Sequence, residues 1–134
     1  DEYFMSDIEE KLQKAKTLLE TGKGEAGRIS LLELLKEYPE NITALLMLGG
    51  AYFYEQKYAD AELVYQRLVQ AEPGLGMLSI ALFNTLWKQG RIEEAIDEIR
   101  RFISVADKVQ ERKTLEEYAG IINSMAEDNP GQKE

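Results

Sequence analysis

Two groups of residues have types and spacings that could form a cofactor, catalytic or cation site. They are a run of glycines and several pairs of adjacent carboxylates. Gly22, Gly24 and Gly27 spell G-x-G-x-x-G, which in dinucleotide-binding proteins follows a strand and opens a helix. Here the pattern follows an amphipathic helical segment, and no parallel sheet is predicted to hold a cofactor. We therefore interpret two glycines as turn residues and the third as a small residue at a close helix crossing, and we expect no cofactor.

The adjacent carboxylates are Glu9-Glu10, Glu93-Glu94 and Glu116-Glu117. Paired carboxylates can act as acid and base or can bind a cation. However, neighbouring residues on a helix point about 100° apart, and no calcium-loop spacing is present. We interpret these pairs as solvated helix faces and expect no metal site.

The composition of the chain also argues against several classes of function. The chain has 134 residues without Cys or His, so thiolate nucleophiles, imidazole bases and their metal sites are absent, and we expect no enzyme. A net charge of -9 disfavours nucleic acid and anionic lipid as partners. The longest apolar run, 44–53, is too short to cross a bilayer, and no secretion signal opens the chain, so we expect a cytoplasmic protein.

The elements that must position any binding residues repeat along the chain with a period of 34 residues. Pro39 and Pro73 are separated by this interval. It also relates several sets of apolar, small or basic residues, namely Lys23, Lys57 and Arg91; Leu18, Tyr52 and Leu86; Leu31, Tyr65 and Ile99; Leu34, Leu68 and Phe102; and Gly27, Ala61 and Ala95. A repeat of this length is typical of stacked helix pairs.

Apolar periodicity predicts seven helices, at 6–21, 25–37, 42–55, 59–71, 75–89, 92–105 and 108–126. Asn41 begins a glycosylation sequon by spelling, but it stands where a helix needs a cap, and we expect it to cap the third helix. Gly90 and the pair Pro73-Gly74 are predicted helix stops.

The second repeat carries a resemblance to the tetratricopeptide repeat (TPR) family. The residues that match the family pattern are Leu48, Gly49, Tyr52, Ala61, Tyr65 and Pro73. The resemblance implies an all-α fold, a right-handed superhelix of antiparallel helix hairpins (a TPR-like α-solenoid) with about seven helices.

This period divides the chain into an N-terminal extension at 1–7, repeats at 8–41, 42–75 and 76–107, a capping helix at 108–126 and a disordered tail at 127–134. Residues 1–4 precede Met5 and are interpreted as non-native. A capping helix is expected because the last unit of a solenoid needs a polar outer cover.

The first helices of the repeats carry more apolar residues than packing on their own partners requires. These residues form two predicted rows, Leu12 with Leu46 and Ile80, and Leu19 with Phe53 and Trp87. The family resemblance implies that this face lines the concave surface, where ligands bind. The predicted groove comprises Leu12, Lys16, Leu19, Leu46, Phe53, Tyr54, Met77, Ile80, Asn84, Trp87 and Lys88.

Some family members grip acidic C-termini with a clamp of Lys, Asn and Arg. At the corresponding positions this chain has Leu12, Lys16, Met47, Met77 and Ala81, of which only Lys16 is basic. The groove is therefore expected to prefer an apolar or amphipathic peptide or helix, with basic flanks that suit an acidic protein.

Three alternatives stay open at this point. The protein could be a dedicated chaperone or a toxin-neutralising immunity protein that masks one cognate partner. It could cover its apolar rows by forming a homo-dimer. Neighbouring helices, Tyr3, Phe4 or the final helix could also cover the groove, in which case the apolar rows belong to the core.

Overall fold

Seven α-helices make up the part of the chain that the computed structural model describes, residues 6–128. They are α1 (Asp7–Glu20), α2 (Gly24–Glu37), α3 (Ile42–Tyr54), α4 (Tyr58–Ala71), α5 (Gly76–Lys88), α6 (Ile92–Val105) and α7 (Arg112–Asp128). No strand occurs in this part of the chain, and the predicted all-α fold class is confirmed. None of these helices combines the length and apolar character that a membrane crossing requires.

The chain forms two compact units, Asp1–Leu68 and Val69–Glu134, which are described here one at a time. The division of the helices into three repeats stays a prediction. Most of the predicted extension and tail, including Tyr3 and Phe4, lies outside the described residues. Glu127 and Asp128, which were assigned to the tail, belong to α7.

Three left-handed residues end the first helices of the predicted pairs. Gly22 has φ +82°, Gln56 has φ +62° and Gly90 has φ +74°, so the three stand 34 residues apart. The residue after each one donates its N–H back into the helix that has just ended, at 2.9 Å, 2.8 Å and 3.1 Å; the pairs are Lys23 to Leu18, Lys57 to Tyr52 and Arg91 to Leu86. This closure satisfies carbonyls that the helix end would otherwise leave unpaired and turns the chain sharply.

Side-chain caps fix other helix ends. The predicted cap at Asn41 is confirmed, because its Oδ1 accepts a hydrogen bond from Ala44 N at 2.9 Å. Ser6 and Glu9 form a reciprocal capping box at the start of α1, which the sequence reading did not identify.

The last helix begins four residues later than predicted. Asp107 Oδ1 accepts hydrogen bonds from Val109 N at 2.9 Å and Gln110 N at 2.8 Å. These bonds hold residues 108–111 in a turn and lower the pKa of Asp107. The side chain therefore competes with helix formation until Arg112.

The core of the first unit depends on glycines where helices cross closely. A Cβ at Gly27 would lie 2.8 Å from Leu19 Cδ2, and a Cβ at Gly49 would lie 2.7 Å from Tyr65 Cε1. Gly27 is buried, which agrees with its interpretation as a small residue at a helix crossing. Buried aliphatic residues of all four helices fill the space around these crossings, namely Ala15, Leu31, Leu34, Ala44, Leu45, Leu48, Ala61 and Leu68.

A buried polar network holds α7 in the second unit. Ser79 Oγ donates to Glu98 Oε2 at 2.7 Å and shares a second 2.7 Å hydrogen bond with the hydroxyl of Tyr118. Because Ser79 has a single proton, Tyr118 is the donor in that second bond. Arg101 binds both oxygens of Glu98, at 2.8 and 2.6 Å, which compensates the buried carboxylate.

A second contact of Arg101 repeats a contact of the first unit. Arg101 Nη1 donates to the carbonyl of Pro73 at 2.8 Å, and 34 residues earlier Arg67 Nη2 donates to the carbonyl of Pro39 at 2.6 Å. In each case an arginine of a second helix binds the turn that precedes its hairpin. The two prolines therefore mark turns whose carbonyls are fixed by side chains.

We expect Gln56→Gly to raise the free energy of unfolding by about 0.5–1 kcal/mol, because a left-handed backbone strains residues that carry a Cβ. Urea unfolding measures the change. The matched variant is Gly90→Gln, which places the same residue at the equivalent turn, where a Cβ meets no atom within 4 Å. It should lower stability by a similar amount; a neutral or stabilising Gly90→Gln would contradict this account.

We expect Tyr118→Phe to lower stability at pH 8 by about 1 kcal/mol through loss of its hydrogen bond. Burial raises the pKa of Tyr118, so in wild type the tyrosine contributes stability below its unfolded pKa of about 10, and that contribution is lost as the pH rises above it. The variant should therefore lose less stability between pH 9 and pH 11 than wild type. Equal losses in urea titrations would contradict the assignment.

Candidate functional site

A cavity of about 750 Å³ opens on the surface of the first unit. Its lining comes from the end of α1, the following turn, the start of α2, α3 from Met47 onward and the turn after α3. The residues are Leu19, Glu20, Gly22, Gly24, Glu25, Arg28, Met47, Gly50, Ala51, Tyr54, Glu55 and Lys57. This volume is typical of pockets that hold ligands, which run from roughly 300 to 1,000 Å³. The cavity is the main candidate site of this unit.

The left-handed turn at Gly22 positions one wall. It ends α1 and starts α2 within three residues, and Leu19, Gly22 and Gly24 all line the cavity. Another part of the lining is one face of α3, where Met47, Gly50 and Tyr54 follow helical spacing. The site thus depends on a hairpin turn and one helix face.

Three charged lining residues of the cavity, Arg28, Glu55 and Lys57, form a connected group. Arg28 Nε lies 3.3 Å from Glu55 Oε2, and Lys57 Nζ lies 3.5 Å from Glu55 Oε1. The hydrogen bond to Glu55 is the main cause that raises the pKa of Arg28. The Arg28 guanidinium also stands 5.6 Å from the centre of the Tyr52 ring, a cation–π distance. Two cations therefore already neutralise Glu55.

Two further carboxylates line the same cavity. Glu20 and Glu25 are exposed, and no ion pair to either is present among residues 6–128. The charge of Glu25 contributes to the raised pKa of Arg28. The lining thus carries three carboxylates and two cations, a net charge of -1 that attracts cationic groups.

The structure brings some predicted groove residues of this unit together and separates others. Leu19 and Tyr54 line the cavity, and Tyr54 is 90% exposed. Leu12, Lys16, Leu46 and Phe53 are not part of the lining: Lys16 is exposed, whereas the three apolar residues are half-buried. The ring of Phe53 packs edge-on against Tyr58 at 5.1 Å, so part of its surface is already used within the unit.

The remaining predicted residues occupy one face of α5 in the second unit. Met77 is 59% exposed and Trp87 is 41% exposed, while Asn84 and Lys88 are also exposed and Ile80 is half-buried. Their spacing of three, four and seven residues places them on one side of the helix. The Trp87 ring lies 5.5 Å from the Phe83 ring, which holds the indole on this face.

Several lining residues were not identified as site residues from the sequence. Gly22 and Gly24 were interpreted only as turn glycines, and no role was predicted for Arg28 or Glu55. The pair is 27 residues apart, outside the 34-residue period, so the repeat gave no reason to connect them. One signal was available: Gly50 directly follows the family glycine at Gly49 and has no role in the repeat pattern.

The described residues offer no group of three or more His, Cys, Asp or Glu side chains in a metal-binding arrangement. The carboxylates of the cavity are instead paired with Arg28 and Lys57 or exposed at its edge. Chemically, this arrangement can hold an apolar group and a cation beside it.

Comparisons with known proteins identify the fold. Residues 12–75 match a family model described as Tetratricopeptide repeat, which confirms the predicted resemblance over that segment. A mutant of MamA is 24% identical with a TM-score of 0.67, covering 95% of this chain and 73% of that chain. MamA MSR-1 C2 is 24% identical with a TM-score of 0.69, covering 95% and 72%. No curated protein sequence matches this chain.

We expect the fluorescence of Trp87, the only tryptophan, to report an accessible indole. Its emission should be red-shifted from that of a fully buried indole, and acrylamide should quench it efficiently, because 41% of the residue is exposed. The unfolded chain provides the upper reference for both values. A blue-shifted emission that acrylamide does not quench would show instead that the α5 face is covered.

Proposed function

We propose, from the premise that residues 12–75 of this chain belong to the tetratricopeptide repeat family, that the protein binds an apolar or amphipathic segment of a partner protein. Proteins with this fold are generally noncatalytic scaffolds with protein partners. The finer proposal is that a peptide or helix docks in the cavity of the first unit. Leu19, Met47 and Tyr54 supply its apolar contacts.

The observation that carries this proposal is the position of Tyr54. Its side chain lines the cavity, yet 90% of the residue is exposed to solvent. Tyrosine is enriched in binding hot spots because it offers a large apolar area and a hydrogen-bonding hydroxyl while losing little rotamer entropy. An exposed tyrosine beside an open apolar cavity is therefore well suited to close over a docked side chain.

Charge supports a partner with basic flanks. The chain carries a net charge of -9, and Glu20 and Glu25 add local negative charge at the cavity. Complementary charges speed association and exclude wrong partners more than they tighten a complex. A segment with Lys or Arg beside its apolar residues would match this field.

The α5 face is a second contact surface in this proposal. Met77 and Trp87 supply exposed apolar area, Asn84 and Lys88 supply polar contacts, and Ile80 lies half-buried between them. Methionine adapts to irregular partners, and tryptophan is the residue most enriched in hot spots. Covering about 400 Å² of apolar surface gives a gross gain of about 10 kcal/mol, of which association and ordering consume several.

We expect Tyr54→Ala to weaken binding of an amphipathic probe peptide about tenfold, which corresponds to about 1.4 kcal/mol. The probe is a fluorescent peptide of about four helical turns with a Phe-centred apolar face and lysines at both ends. Fluorescence polarisation measures its Kd against wild type and variant.

The matched control is Leu63→Ala. Leu63 is an apolar residue of α4 that is 65% exposed and does not line the cavity, so its truncation should leave the Kd unchanged. A probe with glutamates in place of the lysines should bind more weakly. Equal losses in both alanine variants, or no binding of either probe by wild type, would argue against the proposed site.

A further inference from the structure

Neither the backbone conformation nor the packing of α3 requires a glycine at position 50. It lies inside α3, where glycine destabilises a helix relative to alanine. Its backbone is not left-handed, and a Cβ at this position would meet no atom within 4 Å. The preceding residue, Gly49, is different, because a Cβ there would collide with the ring of Tyr65. Packing therefore explains Gly49 and leaves Gly50 unexplained.

The position of Gly50 in the cavity lining explains why a residue without a side chain stands there. It lines the cavity beside Met47 and Tyr54, and a Cβ at this position would have only open space around it. A larger residue would therefore occupy space next to these lining residues. Without a side chain at Gly50, that space stays open.

We propose that Gly50 is the size-determining position of the cavity, which admits a large apolar side chain of a protein segment carrying Lys or Arg beside it. This inference rests on the function proposed above. Leu19, Met47 and Ala51 surround the inserted side chain, and Tyr54 covers it. A residue at position 50 larger than glycine selects a smaller inserted side chain.

Charge complementarity decides the nature of the occupant. Arg28 and Lys57 are already paired with Glu55, so this carboxylate does not need another cation. Glu20 and Glu25 are the carboxylates left to meet an incoming charge. An acidic segment would bring like charges together, whereas a basic residue next to the inserted apolar one gains two favourable contacts.

The test varies both the size of the inserted peptide side chain and the size of the residue at position 50. A series of lysine-flanked amphipathic peptides carries Ala, Leu or Phe at the central apolar position, and polarisation gives each Kd. Wild type should prefer Phe over Ala by about tenfold or more, since each added methylene buried in an apolar pocket strengthens binding. In Gly50→Leu the preference should fall to within about threefold or reverse, because the new side chain fills the space.

Gly120→Leu is the matched control. Gly120 lies inside α7 and also has open space around a built Cβ, but it does not line the cavity. Both variants should melt at or above the wild-type temperature, since leucine is the better helix former. Only Gly50→Leu should change the order of peptide affinities.

The charge arm uses two double variants with equal changes in net charge. Glu20→Gln with Glu25→Gln should reduce the preference for lysine-flanked over glutamine-flanked peptides, whereas Glu116→Gln with Glu117→Gln should leave it nearly unchanged. Glu116 and Glu117 are exposed residues of α7. An equal effect of both double variants would assign the preference to overall charge and overturn the basic-residue contact.

The outcomes separate this inference from the proposed function. If wild type binds none of the peptides, both fail. If it binds them and Gly50→Leu keeps the wild-type order of affinities, the function stands and the role of Gly50 is overturned. A Gly50→Leu protein that melts below wild type would show that glycine is required by the fold, which also overturns the inference.

Discussion

A left-handed residue at the end of every first helix is the constraint on which the rest of this structure depends. Gly22, Gln56 and Gly90 each reverse the chain within three residues and return the next N–H to the helix that has ended. Without that reversal, two helices of this length could not pack side by side. The turn at Gly22 has a second role, because residues of this turn also line the cavity.

Polar groups serve different purposes in the two units. In the second unit Ser79, Glu98 and Tyr118 are buried and satisfy one another, so their network specifies where α7 docks. In the first unit Arg28 and Glu55 are lining residues of a cavity and stay partly accessible. Their pairing compensates Glu55, so the exposed Glu20 and Glu25 set the electrostatic preference of the cavity.

Much of the fold could be predicted from spacing alone. The 34-residue period predicted seven helices, and six of them lie within one residue of the predicted bounds, because turn glycines and Asn41 mark helix ends by local chemistry. The predicted start of α7 was wrong by four residues because the Asp107 side chain holds residues 108–111 in a turn. Gln56 holds the repeat position of Gly22 and Gly90, but glutamine itself does not predict a left-handed turn. The bond between Tyr118 and Ser79 has no sequence pattern, since it forms only after packing.

The candidate site was harder to predict than the fold. Periodicity identified Leu19 and Tyr54, which line the cavity, and equally favoured Phe53, whose ring packs on Tyr58. A helical period shows which side a residue faces but not whether a neighbour already covers it. For Gly50 the only sequence signal was its place after Gly49 without a role in the repeat pattern, because the open space beside it exists only in the folded chain.

A titration followed by backbone amide resonances tests the central claim most directly. Glycine amides are spread along the chain: Gly22, Gly24 and Gly50 line the cavity, whereas Gly120 is a residue of α7 that does not. On addition of the Phe-centred, lysine-flanked peptide, the account predicts shifts of the first three resonances and none of Gly120. A shift confined to Gly120, or none at saturating peptide, would contradict it.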